Sequence, residues 1–272
     1  MTSHNDLTLY CCCNYDTKVI NSDTHLNIKT VPIIGGSFYF SENQKIILND
    51  NFGEKYILDN SLDNISHLNP WFSDLTSIYW VYKNSDSPFI GNRQYGRNFY
   101  FIENFNVEEN VLYTVSPISF GKNSIETQWK NCEKFISIFD LSKFLRKISL
   151  NNRIPVNIDM VNTVLESNVF YPDNMFVAEN KIYKKYFDLF FEIVFSLWEE
   201  TKDYCLNGEI QDFIYYQFDK EILDNYKKMK PKEYSMRYLG QSGERINTLI
   251  LTNFEYFFGN KIKLKTIEKL RY

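Results

Sequence analysis

The stretch DNSLDNISHLNPWFSDLTSIYWVYKNSDSPFIGNRQYGRNF, residues 59–99, contains a helix with polar flanks followed by a strand. Asn69 offers an N-cap, and Pro70 sits in the first turn, where its missing N–H costs no bond. Trp71, Phe72, Leu75, Ile78, Tyr79 and Tyr82 then follow at helical spacing. This spacing predicts one helix over 69–84, packed on a sheet. Residues 88–101, PFIGNRQYGRNFYF, read as an apolar strand entry at Phe89 and Ile90, a Gly-containing polar segment and a second aromatic run.

Upstream, LTLYCCC (7–13) is a short apolar, β-prone run closed by the polar NYDTK, which predicts a first strand. VPIIGGSF (31–38) predicts a second, ending at Gly35-Gly36, where a backbone turns sharply or approaches a ligand closely. Strand, helix, strand is the α/β signature. Downstream, helical periods run over 124–149, 156–167, 181–200, 209–229 and 243–257, with NMFVA (174–178) as one further strand. No repeat or low-complexity linker divides the chain. The expectation is therefore one domain over 1–272, an α/β half at 1–120 and a helical half at 121–272.

Composition narrows the function classes. At 272 residues, with 44% hydrophobic and 24% charged residues, the chain has globular proportions, and disordered or fibrous readings fall away. A net charge of −4 argues against nucleic acid as a partner, because such binding draws on clustered Lys and Arg. Charge is uneven, however. Residues 1–180 carry 14 basic and 20 acidic side chains and residues 181–272 carry 16 and 14, ending in KIKLKTIEKLRY. That ending reads either as a solvated Lys-rich face or as a peripheral contact with an anionic membrane through 261–272.

The N-terminus shows no basic segment followed by a long apolar one, so no signal peptide is expected. In KIYKKYFDLFFEIVFSLWEE (181–200) the charge-free run from Ile193 to Trp198 is far short of the ~20 residues of a membrane span. A cytoplasmic protein, at most peripheral to the inner face of the membrane, is the expectation. Cys11, Cys12 and Cys13 are neighbours that point alternately to opposite faces of a strand, which favours reduced, buried thiols over a disulfide framework. Three scattered histidines (His4, His25, His67) suggest neither a zinc site nor a Ser/His nucleophile pair. GxSxG, GxGxxG and GKS or GKT are all missing from the sequence.

The polar content of 59–97 is more informative. Asp63, Asn64, Ser66 and Asn69 precede a helix start, and Lys83, Arg93 and Arg97 follow it. A site for a phosphorylated, hydroxyl-rich ligand needs such a set, and a capped helix with solvated flanks accounts for it equally.

At these residues the chain resembles the DUF4422 glycosyltransferase-like family of capsular and exopolysaccharide biosynthesis. The family pattern is DNIS-x-x-N, a helix with ELT-x-x-YW-x-WKN, then a strand ending G-x-x-HYRR-x-F; here it reads LDNISHLNPWFSDLTSIYWVYKN and FIGNRQYGRNF. NMFVAENKIYKKYFDLFFEIVFSLWEE resembles the NMFIM segment and following helix, and RYLGQSGERINTL the R-x-x-GF-x-x-ERL segment, so the likeness runs from about Leu7 to about Leu251.

The resemblance implies a GT-A-like (Rossmann-like) mixed sheet flanked by helices. It also implies a hexosyltransferase-like activity that moves a sugar from a nucleotide-diphosphate donor, UDP-galactose or UDP-galactofuranose among the options, to a glycan or lipid-linked glycan. On that mapping residues 1–120 bind the nucleotide-sugar and 121–272 serve the acceptor. Tyr10, Cys11, Cys12, Asn14, Gly35 and Gly36 then line the nucleotide pocket, with Asn64, Ser66, Asn69, Lys83, Arg93, Gln94 and Tyr95 completing the donor site. Asn174 and Arg245 fall on the acceptor side.

GT-A enzymes often hold the diphosphate through a metal on an Asp-x-Asp pair, and this chain has no Asp-x-Asp. Its HYRR segment reads Gln94-Tyr95-Gly96-Arg97. The expectation is metal-independent stabilisation of the leaving group by Arg97, with Mn2+ or Mg2+ as the alternative. For inverting transfer Glu244, matching the ERL glutamate, is the first candidate base and Asp63 the second; Glu244 as a structural partner of Arg245 is the other reading. The departures at Gln94, Gly96, Asn14-Tyr15, Asp74 and Gly240–Arg245 leave open a divergent or host-directed transferase, or a module that binds nucleotide-sugar without turnover.

Overall fold

A computed structural model of the protein describes residues 7–14, 17, 28–53, 55–101, 105–132, 141–206 and 237–271. In chain order its elements are β1 (Leu7–Cys13), β2 (Lys29–Ile34), α1 (Glu42–Phe52), β3 (Ile57–Leu58), α2 (Asn69–Phe72), α3 (Leu75–Asn84), β4 (Phe89–Gln94), β5 (Arg97–Phe99), β6 (Val111–Val115) and β7 (Ile118–Ser119). There follow α4 (Ile125–Cys132), α5 (Leu141–Leu150), α6 (Ile158–Glu166), β8 (Val169–Phe170), β9 (Phe176–Glu179), α7 (Asn180–Leu206), α8 (Tyr238–Thr252), α9 (Phe254–Phe258), β10 (Lys263–Ile267) and β11 (Lys269–Arg271).

Among the described residues seven strands form one sheet in the order β10-β6-β9-β4-β1-β2-β3. β1 pairs in parallel with β2 and with β4, and β2 with β3. β9 runs antiparallel between β4 and β6, while β10 lies parallel to β6 at the edge. The chain therefore steps outward from β1 to β2 and β3, then returns to β4 on the other side of β1. Between β1 and β4 is the point where an open α/β sheet leaves a crevice at the strands' carboxyl ends.

β1 shows why the sheet is sandwiched. Leu7, Leu9, Cys11 and Cys13 face one side, where Cys11 and Cys13 pack with Ile34 and with Leu48 of α1. Tyr10 and Cys12 face the other, into the large cluster built by α3, α7 and α8. In α7, Tyr183, Tyr186, Phe187, Phe190, Val194 and Leu197 recur at helical spacing, all buried. Tyr183 and Tyr186 satisfy their hydroxyls on Asn92 Oδ1 (2.9 Å) and Asn247 Oδ1 (2.7 Å). Among the described residues no helix is long and apolar enough to cross a membrane.

Several sequence expectations are corrected. The helix over 69–84 is two helices: Ser73 adopts φ 52° between α2 and α3, and Asn69, instead of capping, donates its amide to Ser73 O and Thr76 Oγ1, both at 2.9 Å. The second strand stops at Ile34, because Gly35 and Gly36 turn the chain into a short 3-10 segment at Ser37–Tyr39. The segment 88–101 is divided into β4 and β5, which belong to different sheets. The period at 243–257 starts earlier, at Tyr238, and breaks at Asn253 into α8 and α9. The expected helix over 124–149 appears as α4 and α5, with residues 133–140 outside the described residues, as is the helix expected over 209–229.

The second half of the chain, where one strand is expected at 174–178, supplies β9 and β10 to the main sheet and β11 as the partner of β5. The basic ending is accordingly structural as well as charged. Lys265 pairs with Glu108 (2.5 Å), Lys269 with the buried Asp173 (2.6 Å), and Ile267 is buried.

Candidate active site

At the carboxyl ends of β1, β2 and β4 lies a cavity of about 200 Å³. Its lining comes from Cys12 and Cys13 at the end of β1 and Asn14 after it, Gly35 after β2, Gln94 at the end of β4 and Tyr95 after it, Asn69, Ser73, Asp74 and Ser77 along α2 and α3, and Arg237 at the head of α8. Backbone bonds hold the three strand ends level: Gly35 N–H donates to Cys13 O (3.0 Å) and Tyr95 N–H to Cys12 O (3.1 Å).

Asp59, fully buried just after β3, organises one wall. Its Oδ1 accepts from Ser37 N–H (3.0 Å), Ser37 Oγ (2.7 Å) and Ser66 Oγ (2.6 Å), and its Oδ2 from Gly36 N–H (3.0 Å) and Thr76 Oγ1 (2.6 Å). A buried carboxylate is tolerable only with such complete pairing. One side chain thereby ties the turn after β2, the segment before α2 and the first turn of α3 into a rigid rim.

The opposite wall carries charge. Asp74, partly buried at the head of α3, accepts at Oδ2 from Gln94 Nε2 (2.9 Å) and Asn174 Nδ2 (3.3 Å). Burial pushes its carboxyl above the ordinary range, opposed by those two amides, its own backbone N–H and the charge of Arg97. Gln94 is a bridge: its Oε1 accepts from Arg97 Nη1, so its NH2 must face Asp74. Arg97 also pairs with Asp173, which is 3% exposed and holds Lys269 as well. Glu244, with 23% of its side chain exposed, contacts Arg245 at 3.2 Å. Burial raises the Glu244 carboxyl too, with Arg245 opposing.

α8 closes the back of this wall by close approach. A Cβ at Gly240 would lie 2.6 Å from Ser73 Cβ and 3.0 Å from Phe72 O. Only glycine lets the helix reach the Ser73–Asp74 turn, which its contact then holds in the unusual backbone conformation.

The residues singled out from sequence are thus sorted. Cys12, Asn14, Gly35, Asn69, Gln94 and Tyr95 meet around the cavity, and Gly36 sits against Asn69. Arg97 and Glu244 stand just behind it, within the electrostatic reach of Asp74. Asp63 and Lys83 do not join them: Asp63 N–H and O bond Asn84 at the far end of α3, and Lys83 bonds Tyr82 there, roughly 14 Å along the helix from Asp74. Asn64 closes a local turn on Asn60 and Leu62.

Other side chains are committed elsewhere. Ser66 is buried on Asp59, Tyr10 donates to Ser85 Oγ (3.0 Å), and Cys11 packs on the α1 face. Arg93 is fully buried and donates to Arg97 O (3.3 Å). On the acceptor side, Asn174 is buried between Asp74 and Asn247, and Arg245 is 5% exposed over the Phe170 ring. Sequence reading gave Asp59, Asp74 and Arg237 no role in the site. The available signals were the Asp74 replacement in the ELT pattern and the Arg that opens RYLG. Among the described residues no group of three or more His, Cys, Asp or Glu is arranged to hold a metal ion.

The fold of this chain is similar to that of a solved glycosyltransferase. The chain is similar to the structure described as the WbbM bifunctional glycosyltransferase, apo form, with a TM-score of 0.61 and 16% identity over 98% of this chain. It spans 45% of that protein's chain. Residues 42–216 match the family described as a domain of unknown function, DUF4422, and the chain belongs to that family. No curated protein matches it.

Proposed function

We propose that this chain is a glycosyltransferase. It moves a sugar from a nucleoside diphosphate, UDP in the first instance, to a hydroxyl of a glycan or lipid-linked glycan in surface-polysaccharide synthesis. The observation that carries the reading is the polar cleft at the β1/β4 switch point, lined by Arg237, Gln94 and Asp74, with Arg97 behind it on Gln94. Family membership and the shared fold support it.

In this reading the donor lies over the ends of β1, β2 and β4 with its diphosphate toward the guanidinium groups. Their charge offsets that of the departing nucleoside diphosphate without a bound metal, which a bidentate Arg is suited to do. Asp173 keeps Arg97 in place by its ion pair, and the Asp59 network fixes the rim that the donor meets.

Nucleotide release from a panel of UDP-, GDP-, TDP- and CMP-sugars, with and without EDTA, tests the proposal. Release that survives EDTA and falls by about a hundredfold in Arg97→Ala is the expected result. Release abolished by EDTA would overturn the metal-free mechanism, and no release from any donor would overturn the transferase.

A further inference from the structure

We infer that Asp74, rather than Glu244 or Asp63, is the catalytic base, held in position by the Gln94 and Asn174 amides. The inference rests on the transferase reading and assigns its proton acceptor.

Position comes first. Of the three carboxylates Asp74 alone lines the cleft; Glu244 is set behind it against Arg245, and Asp63 lies at the other end of α3. The backbone spends strain on placing it, because Ser73 takes φ 52° to end α2 and present Asp74 at the head of α3. That conformation persists because Gly240 packs on it. Asp74 occupies the N-cap position of α3 but makes no side-chain cap bond there; its carboxylate bonds the Gln94 and Asn174 amides instead.

Chemistry follows from the bond pattern. Both amides converge on Oδ2, and Oδ1 takes neither of them. Arg97 can only donate, so it fixes the flip of Gln94 and thereby the donor that Gln94 offers to Oδ2. The resembled family has His where this chain has Gln94; here the amide links a cation to the carboxylate without titrating itself.

In the reaction, a hydroxyl of the acceptor, or water, gives its proton to Asp74 as its oxygen bonds the anomeric carbon of the donor. The bond from that carbon to the diphosphate oxygen breaks, and its electron pair leaves with the nucleoside diphosphate on the Arg237 side. Among the described residues the charged and titratable groups around Asp74 are Arg97 of β5, Glu244 of α8, Arg237 at the α8 head, Cys12 of β1 and, across the cavity, Cys13 and Tyr95. Removing the Gln94 amide takes away a donor that stabilises the ionised form, so the pH at which Asp74 becomes competent must rise.

The test is nucleotide release to water or acceptor from the same donor panel, with donor binding followed separately by ligand-induced thermal stabilisation. Asp74→Asn should lower release at least a hundredfold and keep the stabilisation by donor, in line with the ~10²–10⁴ that positioned acid–base groups contribute. Gln94→Leu, which leaves Asp74 in place, should move the acidic limb of kcat to higher pH, a shift that a purely structural role would not produce. Asp74→Asn within tenfold of wild type, or an acidic limb unmoved in Gln94→Leu, would overturn the assignment while the transferase stands. Wild-type protein that releases nothing from any donor would overturn both, and is told apart because no variant is involved.

Discussion

Replacing Asp59 by Asn keeps size and shape and removes one acceptor, so it measures what the buried carboxylate does for the rim of the cleft. The least costly amide orientation keeps oxygen at the Oδ1 position, where three donors from Ser37 and Ser66 converge. The new NH2 then occupies the Oδ2 position. Thr76 can adapt, because its hydroxyl proton has Ser73 O at 3.0 Å as an alternative acceptor, which frees its oxygen to accept from the amide. Gly36 N–H cannot adapt, and a buried donor facing a donor costs about 1–3 kcal/mol. The three retained bonds lose their charge assistance at about 1 kcal/mol each, partly offset by no longer burying a charge. The net loss is about 3–5 kcal/mol, a large share of the roughly 5–15 kcal/mol that folded chains possess. Urea unfolding followed by tryptophan fluorescence reads this directly, and Tm should fall on the order of 10 °C. A loss below about 1 kcal/mol at unchanged m would refute the claim that Asp59 holds the rim together.

Two further outcomes follow from packing. Gly240→Ala should gain about 1 kcal/mol in helix propensity yet lose more from contact with Ser73 and Phe72 O, for a net destabilisation of about 1–2 kcal/mol. Gly243→Ala meets only side-chain atoms of Leu75 and Asn174 at 3.2–3.3 Å and should stay within about 1 kcal/mol of wild type; equal effects of the two would remove the close-approach argument. Deleting residues 261–272 removes β10, β11 and the Lys269–Asp173 pair, so the truncated chain should lose cooperative thermal unfolding. A native circular dichroism spectrum and unchanged Tm would show that this ending is a dispensable tail.

The sheet was legible wherever local pattern decides structure. LTLYCCC reads as a buried strand because it is short, apolar and β-prone, and it forms β1; the apolar spacing of 181–200 yields α7. The break at Ser73 was harder to see, since Asn69-Pro70 and Ser73-Asp74 are both helix-start signals placed in tandem, and only the approach of Gly240 settles that both are used. The lysines of 263–269 carry no sign of which carboxylate each will meet. The pairing of Lys265 with Glu108 and of Lys269 with Asp173 depends on strands that join across more than 90 residues of chain.

The candidate site divides along the same line. Gln94, Tyr95, Asn14 and Gly35 were assigned through the family resemblance, and they meet because each ends or follows a strand and strand ends of a parallel sheet gather at one edge. Asp63 and Lys83 share the polar stretch that suggested the site, yet the ten residues of α3 carry them to its far end. By itself the sequence determined the α/β class, the strand ends that form the cleft and the family. Tertiary structure alone decided that Asp59 is buried under five donors, that Asp74 faces the cavity and Glu244 stands behind it, and that Gln94 joins Arg97 to Asp74. Those relations are set by contacts between segments far apart in the chain, where neither periodicity nor residue type carries the information.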